Sequence, residues 1–222
     1  MSTLSTASRL AHLLTAGGVL FALGNALHPL HHGDAAEQTP TWLLSHALFA
    51  AGAVLVCAGV PGLQPALRRT LLGRAGVVLT WLAMLLVPVG AWYEIFAAPQ
   101  LSDALAAEVD GAAAPFTAVQ TALFILGPVL LGVGGLRARA WGRLVSVALF
   151  TGPALLLLLP ALPGPDGIWV IVGTVLLGSG LAGAGLAVGR LTGTSPQIAP
   201  QDREAAAGSG RRRTGHRTET AH

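Results

Sequence analysis

Four stretches of an otherwise apolar chain carry side chains able to hold a metal ion or move a proton. They are Asn25, His28, Pro29, His31 and His32; His46; Tyr93 and Glu94; and Gln120. Imidazole and carboxylate together suit divalent transition metals. His28 and His32 stand at i and i+4, a spacing at which one helix face presents two ring nitrogens to one ion. His28, His32, His46 and Glu94 are therefore the candidate metal ligands, with Asn25, Tyr93 and Gln120 as the polar groups around them. The same set suits a proton relay, because imidazole titrates near neutrality and desolvation brings carboxylates toward that range. Haem with axial His28 and His46 is a third option, although the chain has no C-x-x-C-H attachment motif. The bland alternative is that His31 and His32 lie in a solvated loop and His46 gives one hydrogen bond to a neighbouring helix.

The elements that position these groups follow from composition. The chain is 53% apolar and 10% charged, with a mean hydropathy of +0.65, whereas soluble domains carry roughly 25% charged residues. Lipid is the expected solvent. A helix needs about 20 mostly apolar residues to cross a hydrocarbon core of roughly 30 Å, and six segments qualify: about 10–30, 41–60, 72–97, 115–136, 143–162 and 167–189. The expected fold is all-α, a polytopic transmembrane bundle of six spans occupying residues 9–190, after a short N-terminus of residues 1–8. Residues 191–222, rich in Gly, Ser, Thr and Arg, bury too little apolar surface to fold and read as a disordered tail.

Arginine sets the orientation, since loops on the cytoplasmic side are enriched in basic residues. All 13 basic residues are Arg. Arg9 precedes the first span; Arg68, Arg69 and Arg74 lie between spans two and three; Arg137, Arg139 and Arg143 lie between four and five. Arg190, Arg203, Arg211, Arg212, Arg213 and Arg217 follow span six. The opposite loops hold Asp34, Glu37, Asp103, Glu108, Asp110 and Asp166. Both termini are expected in the cytoplasm, in a multi-pass protein of the bacterial inner-membrane type. The first apolar run also has the look of a signal peptide, but its span length and the charge pattern of the second span favour a retained helix. Trp42, Trp92, Tyr93 and Trp169 read as an outer aromatic belt and Trp141 as an inner one, with Trp81 as mid-span packing.

On this topology the polar groups share one depth. At 1.5 Å per residue His28 stands about 28 Å from Arg9, and Glu94 about 30 Å from Arg74. His46 and Gln120 lie about 6–7 Å below the opposite interface, counted from Trp42 and Pro115. If the first helix continues past Pro29, Asn25, His28 and His32 line one face, and the proline leaves the Asn25 carbonyl without its helical donor.

Other features bear on organisation. Thr39 and Pro40 read as a helix N-cap with proline in the first turn. Ser102 to Asp110, closed by Gly111, reads as a short interfacial helix. Pro88, Pro128 and Pro153 fall mid-span, as kinks or as hinges of a transporter. Gly185 and Gly189 form a GxxxG pair in a glycine-rich span six, a packing signal that serves either the bundle or a homo-oligomer. Cys57, the only cysteine, falls in an apolar run, so no disulfide forms within one chain. The Arg211–Arg213 run can touch anionic lipid at about 1 kcal/mol per basic residue, while the sequence pI near 10.4 comes from short patches beside spans and does not indicate nucleic acid.

Walker, HExxH, G-x-S-x-G and dinucleotide signatures are absent, so no catalytic motif marks an enzyme. The six spans, the HPLHH segment at His28–His32, the W-x-x-x-H of Trp42 and His46 and the Arg-rich tail resemble uncharacterised six-span integral membrane proteins of GC-rich actinobacteria. That resemblance implies the membrane design and no activity. Three functions remain open: a His/Glu site for metal, haem or protons; a small-solute transporter with proline-hinged helices; and a membrane scaffold or accessory subunit.

Overall fold

The computed structural model describes residues 6–30, 39–158 and 167–193. Among these the chain is helical and contains no strand. Six main helices follow one another: α1 (Thr6–Ala26), α2 (Pro40–Gly59), α3 (Leu71–Trp92), α4 (Asp103–Ala138), α5 (Arg143–Leu158) and α6 (Ile168–Gly193). Five helical stretches are long and apolar enough to cross a membrane: Thr6–Ala26, Pro40–Leu67, Leu71–Gln100, Asp103–Ala138 and Ile168–Leu191. α5, at 16 residues, spans about 24 Å, short of a hydrocarbon core; the rest of the expected fifth span falls outside the described residues.

Each helix packs on its neighbours in the chain and α6 returns to α1, so the six close into a ring. Lipid tails are as apolar as leucine, so burial of leucine does little to hold such a ring together, and close backbone approach with dense packing does more. Glycine supplies that approach. A Cβ at Gly18 would sit 2.5 Å from the backbone nitrogen of Ala182, and one at Gly127 the same distance from that of Thr80. Gly185 lies against Ala11 and Thr15 of α1, and Gly189 against the Cβ of Ala11. The GxxxG face of α6 is therefore turned into the bundle.

These contacts also align the helix ends. Gly59 and Gly62 meet Leu10, Gly189 meets Ala11, Gly134 meets Gly73, and Gly132 meets Ser146. The ends bearing Arg9, Arg68, Arg74, Arg137, Arg143 and Arg190 thus gather at one end of the ring. The interior of that half is filled by Leu14, Val56, Val60, Leu63, Leu67, Leu131, Leu149 and Leu181, none more than 1% exposed.

Several expectations change. α1 stops at Ala26 and does not continue past Pro29, because a proline disfavours helical backbone in the residue before it. The Asn25 carbonyl is not left without a donor; it accepts the His28 N–H at 3.2 Å. Ser102 holds the N-cap position without a side-chain cap bond, and α4 then runs for 36 residues through Gly111 and Pro115. Gly111 is right-handed helical and does not end a helix; α4 stops instead at Arg139, in left-handed backbone at φ 52°. Two belt tryptophans turn inward: Trp42 is 3% and Trp141 8% exposed, the latter donating to the Ser146 hydroxyl at 3.0 Å. Trp81, read as packing, is exposed. The Thr39 cap forms as expected, its hydroxyl accepting the Trp42 N–H at 3.3 Å. The Arg-rich tail beyond residue 193 lies outside the described residues.

Candidate functional site: a polar-walled cavity

The end of the ring remote from the arginines holds a cavity of about 390 Å³ lined by all six helices or their immediate flanks. Asn25, His28, His46, Glu94 and Gln120 all line it, joined by Thr117, Thr121 and Thr174. Thr117 and Thr121 are exposed at its edge on α4. Its floor is aromatic. Phe21 reaches Phe49 in an edge-to-face contact at 6.3 Å and meets Phe124 at 6.1 Å, closing the ring interior from α1 across to α4.

α2 positions the deepest polar group. Trp42 and His46 stand one turn apart on one face, rings 4.3 Å apart, and His46 continues to Phe49 at 5.1 Å. His46 is 2% exposed, and its Nδ1 lies 2.8 Å from the Trp42 carbonyl and 3.3 Å from the Ser45 hydroxyl. A carbonyl only accepts, so Nδ1 bears a proton and donates it there. His28, just beyond α1, is held alike: its Nδ1 donates to the Pro29 carbonyl at 3.0 Å. The two imidazoles meet at 5.0 Å with a tilt of 52°.

Glu94 comes from the opposite wall. Past Trp92 the helix widens into a π turn at Tyr93–Ala97 and then a 3₁₀ turn at Ala98–Gln100. Pro99 has no N–H to give Ile95, so the α ladder cannot continue through it. The Glu94 carbonyl accepts the Trp42 indole N–H at 3.3 Å, which ties the π turn to α2. Such turns recur at functional sites. Glu94 itself is half-buried.

Tyr93 does not line this cavity. It faces an adjoining groove of about 570 Å³ between α3 and α4, where its hydroxyl donates to Asp110 at 3.2 Å. Gly90, Glu94, Thr117 and Gln120 line both spaces.

Among the described residues no three His, Cys, Asp or Glu side chains gather closely enough to hold an ion, so the metal expectation gains no support from His28, His46 and Glu94 alone. His28 is off the helix, which removes the single-face argument for pairing it with His32; His31 and His32 lie outside the described residues. Haem between His28 and His46 gains no support either, their rings standing 5.0 Å apart in ordinary aromatic contact.

Sequence reasoning missed Trp42 and the three phenylalanines. The signal was present in the spacing: Phe21 and Asn25, His46 and Phe49, and Gln120 and Phe124 are each three or four apart, so every Phe stands one turn deeper on the face that carries a polar group.

The fold and this cavity define a class, an apolar six-helix bundle enclosing a polar-walled chamber at one end. Compared with protein-family profiles, curated proteins and solved structures, the chain matches none.

Proposed function

We propose that the chain is a six-span membrane protein with both termini in the cytoplasm, and that its chamber binds a small organic cation with an apolar or aromatic body from the opposite side. One observation carries the reading. Among the described lining residues Glu94 is the only acidic side chain and none is Lys or Arg, while the Nδ1 atoms of the two imidazoles donate to backbone carbonyls. This residue set suits a cation better than an anion, and the faces of Phe21, Phe49 and Phe124 attract a cation further. A volume of about 390 Å³ lies within the roughly 300–1,000 Å³ of small-molecule sites, which pair an apolar lining with a few placed polar groups.

The placement of proline favours transport over static binding. α1, α2 and α6 have no mid-helix proline, while Pro88, Pro128 and Pro153 fall within α3, α4 and α5. His28 and His46 belong to the first group, Glu94 and Gln120 to the second. The scaffold alternative loses its main surface, because the glycine face of α6 packs on α1 and α5.

The test is binding of a fluorinated benzylamine to the protein in nanodiscs, followed by ¹⁹F NMR. We expect saturable binding that weakens about 30-fold or more in Glu94→Gln, the order of loss for one partner of a desolvated charge pair. Equal binding by Glu94→Gln, or tighter binding of a fluorinated benzoate, defeats the proposal.

A further inference from the structure

α3 and α4 form a wedge. In their inner halves the backbones touch: Gly76 meets Leu131, Gly127 meets Thr80, and Gly134 meets Gly73. In their outer halves they part. A Cβ at Gly90 would find nothing nearer than the Gln120 amide nitrogen at 4.0 Å, and the phenol of Tyr93 is needed to reach across to Asp110. The opening is the 570 Å³ groove, and it meets the chamber at Gly90, Glu94, Thr117 and Gln120.

The outer half of α4 also stands away from the bundle, with Leu105, Phe116 and Val119 each more than 40% exposed. Val89 and Trp92 are 53% and 61% exposed on the α3 side. In a spanning protein these are lipid-facing surfaces, so the groove faces acyl chains laterally. Its described lining carries two carboxylates, Glu94 and Asp110, and no arginine.

We propose that the α3–α4 wedge is a side entrance from the bilayer into the chamber, and that the ligand is a cationic amphiphile, an alkylammonium with a single apolar tail. The ammonium passes Asp110 and then Glu94 while the tail stays against Val89, Ala113 and Phe116. Charge complementarity selects this occupant: a neutral or anionic lipid gains nothing from the two carboxylates, and a fully polar cation has no reason to arrive through lipid. The inference rests on the cation-binding reading above and adds the route and the tail.

The experiment compares two probes in nanodiscs: a dansyl-labelled dodecylammonium, followed by energy transfer from tryptophan, and the short fluorinated benzylamine. Ala113 lines the groove and is absent from the chamber wall, so Ala113→Phe fills the entrance alone. Ala112→Phe, on the exposed neighbouring position, is the control. Ala113→Phe is expected to slow association of the dodecylammonium probe by about tenfold, within the one to three decades over which related on-rates vary. Benzylamine affinity stays unchanged, which also reports that the variant is folded. An unchanged dodecylammonium rate, or an equal slowing by Ala112→Phe, overturns the side entrance while leaving the chamber intact. Absence of benzylamine binding to the unsubstituted protein overturns the cation site and the entrance with it.

Discussion

His46 shows how a single side chain is made useful in an apolar helix. Burying an imidazole is costly unless its polar atoms are met, and the Trp42 carbonyl one turn back meets Nδ1, which also fixes the ring's orientation. Trp42 in turn donates its indole N–H to the Glu94 carbonyl. Trp42→Phe keeps the ring stacking and removes that donor, so thermal unfolding in detergent should show a loss of about 1 kcal/mol, the net worth of one such bond. A loss indistinguishable from zero would mean the π turn is held by other contacts. Thr80 offers the opposite case. Its hydroxyl is fully buried beside Gly127 and has no hydrogen-bond partner among the described residues, a condition that costs about 1–3 kcal/mol. Thr80→Val should leave the protein equally or more stable, and marked destabilisation would show that the hydroxyl is satisfied. At this scale the polar set was legible in the sequence, because His28, His46, Glu94 and Gln120 contrast with their apolar surroundings. Phe21, Phe49 and Phe124 were not, since a phenylalanine in an apolar run has no contrast until the opposite wall is known.

Among the elements, the helices were readable by length and hydropathy, while their ends depended on local chemistry. Thr39–Pro40 announced the start of α2, and its cap forms. Gly111 and Pro115 suggested an interruption that the backbone ignores, because the carbonyl that Pro115 leaves without a donor belongs to Gly111, whose surroundings are open. Arg139 ends α4 with no glycine to signal it. The glycines divide by the same logic. Gly18→Ala places a methyl 2.5 Å from the Ala182 backbone, where nothing can rotate away, and should cost about 1–3 kcal/mol as overpacking. Gly111→Ala meets nothing within 4 Å and should be neutral or stabilising by up to about 1 kcal/mol through helix propensity. Chemical unfolding of both variants checks the pair, and equal effects would mean that α1 and α6 do not approach as described.

For the whole molecule, the arginine pattern and the helix contacts agree that one end of the ring is basic and densely packed and the other is acidic and hollow. A sequence conveys the first half of that statement through residue types, but the hollow depends on how far apart helices stand, which no residue type records. The central claim is a negatively biased chamber reached from the side opposite the arginines. It is tested most directly at Thr121, which lines the chamber and is exposed at its edge. In a Cys57→Ala background, Thr121→Cys is treated on intact cells with membrane-impermeant methanethiosulfonates, one trimethylammonium and one sulfonate. The account expects modification from outside, with the cationic reagent faster by about tenfold, the lower end of what a focused surface potential confers, and that advantage lost in Glu94→Gln. Modification from the cytoplasmic side alone, or faster reaction of the sulfonate, would contradict it.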